Sequence, residues 1–94
     1  MTELLKRNYD AVVKRGLINP QTTSSDFMAK LEEETMEVYV EHMRGNKDKK
    51  TIELGDVINT CNNWLIWLGY DPEEILKQVA IKNEKRHGKT TSTK

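Results

Sequence analysis

Glu33, Glu34 and Glu37 fall within one five-residue run, and Glu53 and Asp56 form a second acidic pair further along the chain. An α-helix turns once in about 3.6 residues, so Glu34 with Glu37, and Glu53 with Asp56, share a helix face. Two helices packed face to face would aim four carboxylates at one point. Such a concentration of negative charge is unfavourable unless something neutralises it. A hard divalent cation does so, because it takes oxygen ligands; magnesium also keeps coordination positions open for water and substrate phosphate. Bound there, it would lower the pKa of an attacking water and offset charge on a reacting phosphorus group. The competing interpretation is a solvated helix face, since glutamate is a good helix former. Asp56 counts against it, because aspartate is a poor one.

Helical elements must position these acids. Strand-like alternation is scarce, and both prolines, Pro20 and Pro72, stand at apparent boundaries, so the chain reads as all-α with four helices. The first is expected from about Thr2 to Arg15, with Leu5, Tyr9, Val12 and Val13 as its apolar stripe and Gly16 as its stop. Leu17 to Thr22 reads as a loop. The second begins near Thr23 or Ser24, where Thr23 and Asp26 resemble a capping box, and closes at Gly45-Asn46. Phe27, Leu31 and Val38, with Tyr39 or His42, are its expected core residues. A polar turn to Lys50 follows.

The third helix is expected from about Thr51 to just before Gly69. Leu54, Val57, Ile58, Cys61, Leu65 and Leu68 give it a broad apolar face, beside a polar stripe of Glu53, Asp56, Thr60 and Asn63. Trp64, Ile66 and Trp67 make its second half apolar nearly all round, so a partner subunit is the expected cover. The fourth helix starts at an Asp71 cap with Pro72 in its first turn and Glu74 completing the box. Ile75, Leu76, Val79 and Ala80 are expected to pack, and Gly88 to end it. Residues 1–88 then form one domain, with 89–94 a disordered basic tail.

Further candidates surround the acidic motifs. Lys82 and Arg86 lie one turn apart and, with Asn83, suit phosphate, although cations also favour a helix C-terminus for its dipole alone. Asn63 is placed to meet a base or ribose. Trp67 and Trp64 offer stacking faces, while packing is the commoner use of aromatics at this spacing. His42 and His87 lack a nucleophilic partner at recognisable spacing. Cys61 reads as a small apolar filler.

Composition bounds these functions. The chain has 94 residues, with fifteen basic and fifteen acidic side chains, so its formal charge is zero. That balance argues against a general nucleic-acid binder. One cysteine permits no internal disulfide and suits a reducing cytoplasm. No apolar run approaches a membrane span, and the amino terminus does not read as a signal peptide. A chain this short is often marginally stable alone, and association is one remedy.

The two acidic motifs, the approach Lys30-Leu31-Glu32 and the ending Lys82-Asn83-x-x-Arg86 together resemble the MazG-like nucleotide pyrophosphohydrolases. These belong to the all-α NTP pyrophosphatase superfamily, with the dimeric dUTPases and dCTP pyrophosphatases. The resemblance spans roughly residues 27 to 88. It implies a magnesium-dependent enzyme, with manganese as a substitute, that cleaves a nucleoside triphosphate to the monophosphate and pyrophosphate. By motif position Glu34, Glu37, Glu53 and Asp56 would be metal ligands. Glu37 would also orient the attacking water, and Glu33 would stand behind the ligands as a second catalytic carboxylate. Lys82, Asn83 and Arg86 would hold phosphates. The resemblance further implies a homodimer or homotetramer with its sites near subunit contacts.

Two departures stand out. Gly55 occupies a position where relatives often carry alanine. The histidine that phosphoribosyl-ATP pyrophosphohydrolases place soon after the second motif is absent from Val57 to Asn63, which ranks that substrate low. The rival of a different class is a non-catalytic helical interaction module built on the aromatic-rich third helix.

Overall fold

A computed structural model describes residues 1–90, and all the regular structure in them is helical: α1 (Glu3–Lys14), α2 (Ser24–Arg44), α3 (Lys47–Trp67) and α4 (Pro72–Thr90). The first two boundaries follow from local chemistry. Thr2 caps α1 by accepting from the Leu5 N–H, and Gly16 turns the chain away at φ 78°. Thr23 and Asp26 open α2 with the expected box, the Asp26 carboxylate accepting from the Thr23 N–H at 2.9 Å. Gly45 ends α2 in the left-handed conformation at φ 71°, which a side chain would resist.

Two expected boundaries move. The turn to Lys50 is shorter than its polarity suggests, because Asn46 accepts from the Lys49 N–H and caps α3 at Lys47. Gly88 does not end α4, which continues to Thr90; one glycine costs a helix only about 1 kcal/mol. The start of the proposed tail is therefore helical, and residues 91–94 lie outside the described residues. The Asp71 carboxylate caps α4 through the Glu73 N–H at 3.0 Å and pairs with the Met1 ammonium at 2.8 Å. Glu74, expected to complete that box, instead pairs with Lys77.

The antiparallel pair α2–α3 is the centre of the fold. Helix α1 leans on α3, and α4 meets the other helices only at α3 among the described residues. Phe27 and, at the start of α4, Pro72 are the buried apolar side chains among them. Phe27 stacks on Trp64, with ring centroids 6.0 Å apart, and meets Trp67 at 5.2 Å. The Trp64 indole also donates to Ser24 Oγ. Glu34, Glu41, Thr60 and Asn63 are buried as well, so the seam is polar along much of its length.

The expected apolar face of α3 points elsewhere. Leu54, Ile58, Cys61 and Leu68 are exposed, so Cys61 is not a core filler. On the other helices Val13, Tyr39, His42, Leu76, Val79 and Ala80 are exposed rather than packed. The chain is correspondingly open. Its radius of gyration is 16.1 Å, against about 12 Å for a compact domain of this length. Its accessible surface is 7341 Å², against roughly 5,600 Å² for a compact chain of this mass. Among the described residues no helix is long and apolar enough to cross a membrane.

Candidate metal centre and adjoining cleft

The polar stripe of α3 faces α2, and this register brings both acidic motifs together. Carboxylate oxygens of Glu34, Glu53 and Asp56 lie within 4.8 Å of one another, as do those of Glu33, Glu34 and Glu37. Glu34 belongs to both groups and joins them into one constellation. Its side chain is buried, Glu37 and Glu53 are half-buried, and Glu33 and Asp56 stand at the edge. All five acidic residues singled out by spacing therefore meet at one place.

The electrostatics of the seam follow from this crowding. The Glu37 carboxyl shares a hydrogen bond with Glu53 and feels the Glu34 charge, and these effects push its pKa up to about 7. Asp56 is raised from its ordinary value by burial first, then by the Glu34 and Glu53 charges. Lys30 partly relieves the strain. Its ammonium lies 2.9 Å from Glu34 Oε1 and 3.6 Å from Glu33 Oε1, and its own pKa is raised, chiefly by the Glu34 hydrogen bond. One lysine among five carboxylates leaves the site strongly negative.

Some lone pairs of the cluster remain unmatched. Among the described residues, Glu34 Oε2 and Glu53 Oε2 are buried and have no hydrogen-bond partner. Buried carboxylate oxygens without partners are costly, and their repeated occurrence in one cluster needs a physical reason. The donor set is all oxygen and anionic, as magnesium or manganese prefers. Oxygens bound to one magnesium at about 2.1 Å lie within roughly 4.2 Å of each other, so small side-chain rotations suffice here. The residues present fit such an ion.

A cleft of about 510 Å³ opens beside the carboxylates, within the range of small-molecule sites. Lys30, Glu33, Glu34 and Asp56 form its acidic end, while Val12, Leu17 and Ile18 wall the far side. That wall is the last turn of α1 and the loop after it. The shape of the loop is fixed by Asn19, whose amide donates to the Gly16 carbonyl at 3.0 Å and whose Oδ1 accepts from the Gln21 N–H at 2.9 Å. Asn59, Thr60 and Asn63 of α3 form the floor, with Phe27 beside them.

The other sequence candidates divide. Asn63 lines the cleft, as its place on the polar stripe suggests. Trp67 does not; it packs on Phe27 and supports the floor from outside the cleft. Lys82, Asn83 and Arg86 are exposed on α4, which does not reach α2, and none of them borders the cleft. His42 is exposed, with Nδ1 3.3 Å from Lys50 Nζ, and belongs to neither carboxylate group. The His87 side chain lies outside the described residues. The expectation overlooked Lys30 as a site cation, although its i, i+4 spacing to Glu34 announces the pair. It also overlooked Asn59 and the α1 loop; nothing local ties a loop to a helix forty residues on.

No family model, curated protein or solved structure matches the chain.

Proposed function

We propose that this chain is a divalent-cation-dependent hydrolase that splits nucleoside triphosphates into the monophosphate and pyrophosphate, in the manner of the MazG-like enzymes it resembles. One observation carries this reading. Glu34, Glu53 and Asp56 converge within 4.8 Å, and two of their buried oxygens have no partner among the described residues. Glu34, Glu37, Glu53 and Asp56 would hold the magnesium ion, which supplies charge neutralisation for the triphosphate and activation of water.

The chain's own groups do the rest. Glu37, at the half-buried rim, orients the attacking water and takes its proton. The water oxygen bonds to the α-phosphorus, the bridge from that phosphorus to the β-phosphate breaks, and pyrophosphate leaves. Glu33 and Lys30 hold Glu34 in place. Lys30, with Arg15 at the mouth of the cleft, supplies the positive charge that the chain itself places beside the acids. Lys82, Asn83 and Arg86 serve phosphates from a neighbouring copy.

A second copy of the chain belongs to the same reading. Leu54, Ile58, Cys61, Leu65 and Leu68 repeat at intervals of four and three along α3, which is the spacing of a helix–helix seam. Most of that line is open to solvent. The surplus surface over a compact chain is roughly 1,700 Å², the scale that one partner loses in an obligate homo-oligomer. Residues 1–88 act here as one catalytic unit in the cytoplasm.

The test is incubation of the purified protein with each of the common nucleoside triphosphates and magnesium, with products read by phosphorus NMR. Monophosphate and pyrophosphate are expected, and no orthophosphate. Release of orthophosphate, or an unchanged substrate at high enzyme concentration, would reject the assignment.

A further inference from the structure

The floor of the cleft carries hydrogen-bonding capacity that the carboxylate site leaves unused. Asn59 and Asn63 stand one turn apart on α3, and both line it. Their Oδ1 atoms are buried, without a partner among the described residues. Their Nδ2 groups are not enclosed in this way. They reach the cleft surface and make no hydrogen bond among the described residues. Asn63 is held firmly in this orientation, being only 4% exposed. Thr60, between them in sequence, has already given its hydroxyl hydrogen to the Asp56 carbonyl at 3.0 Å. Two amide donors are therefore what the floor offers a ligand.

We propose that this floor selects nucleobases with a carbonyl oxygen on the edge remote from the sugar, namely uracil, thymine and guanine, with Asn59 and Asn63 as the specificity-determining residues. The inference rests on the nucleotide-hydrolase reading, because the floor adjoins the proposed phosphate-binding carboxylates. Asn63 lies seven residues past Asp56, about 10 Å along the helix axis. A nucleotide with its phosphate at the acids covers that distance to the far edge of its base. The Phe27 ring and the Leu17 and Ile18 side chains wall the cleft away from the acids, which suits a flat ring and not a phosphate. A carbonyl oxygen has two lone pairs and accepts from either amide or from both. Cytosine and adenine carry an amino group on the same edge and would meet donor with donor. Binding them would remove the Asn59 and Asn63 amide hydrogens from water without giving them an acceptor, and that loss is what discriminates. The apolar wall supplies contact for the ring faces but does not distinguish one base from another.

Binding of free nucleosides tests this without phosphate, cation or turnover. Thymidine is compared with deoxycytidine, and deoxyguanosine with deoxyadenosine, so that each pair shares a ring size. Each is titrated into the isotope-labelled full chain, and the side-chain amide signals of Asn59 and Asn63 are followed by NMR. Those signals are expected to move on addition of thymidine and deoxyguanosine, with affinities at least about fivefold above their amino-bearing counterparts. The N63L variant is expected to erase the preference. Equal binding within both pairs overturns the proposal, as does a preference for the amino-bearing nucleosides, binding that leaves both amide signals still, or no binding at all. The wild-type comparison decides even if N63L does not fold. Selective nucleoside binding in a protein without hydrolase activity would uphold this floor while removing the proposed reaction. Hydrolysis indifferent to the base, with no nucleoside preference, would do the reverse.

Discussion

The Lys30 ammonium sits 2.9 Å from Glu34 Oε1, while Glu34 Oε2, buried between α2 and α3, has no hydrogen-bond partner among the described residues. One carboxylate is thus half neutralised by its own helix and half left for something else. Lys30 compensates the site without filling it. Replacing it with glutamine removes that compensation and leaves the acids intact. The K30Q protein is expected to melt a few degrees lower than wild type without divalent cations. Saturating magnesium should recover most of the difference, because the ion supplies the missing positive charge. Thermal unfolding of both proteins, with and without magnesium, checks this; an unchanged melting temperature without cations would remove Lys30 from the site.

Glu37 gives the metal-free protein a pH dependence of definite sign. Its carboxyl is raised from 4.5 to about 7 in the folded chain, first by its hydrogen bond with Glu53 and next by the Glu34 charge. A raised acid means that the folded state binds more protons than the unfolded one between those values. Stability therefore falls as pH rises from about 4.5 through about 7. Asp56, also raised, contributes in the same direction. Melting temperatures across this range, in a metal-chelating buffer, should decline with pH. The E37Q variant should show a flatter profile, and a wild-type profile that rises steadily with pH would contradict the charge crowding described here.

The line of Leu54, Ile58, Cys61, Leu65 and Leu68 predicts association. Sedimentation at micromolar concentration should show a dimer or tetramer, with a melting temperature that rises with protein concentration. Lysine at position 58, in place of an isoleucine that is 61% exposed, should cost a lone protomer little. In the assembly it would bury a charge, so I58K is expected to dissociate the oligomer and lower its melting temperature by about 5 °C or more. A wild-type monomer with concentration-independent melting would rule the interface out.

Sequence reading reached the elements that local chemistry determines. Gly16, the Thr23–Asp26 box, Gly45 and the Asp71–Pro72 start all act where their residue types suggest. The acidic constellation was legible because helical spacing puts its members on common faces. What lay beyond reach depended on which face meets which neighbour. A heptad-like line of leucines looks the same whether its partner is α2 or a second chain, and α3 turned its polar stripe inward instead. Asn46 also shortened the turn before α3, since a single capping amide outweighs a run of lysines. The cleft wall from the α1 loop is a tertiary product, with no trace in local pattern.

The central claim is that Glu34, Glu37, Glu53 and Asp56 hold a divalent cation between α2 and α3. Calorimetric titration of manganese or magnesium into the wild-type and D56N proteins tests it most directly. The account predicts saturable binding to the wild type, with protons released near neutral pH as Glu37 ionises, and affinity at least about tenfold weaker in D56N, whose helical circular dichroism is unchanged. Equal affinity in the two proteins, or no saturable binding to the wild type, would contradict it.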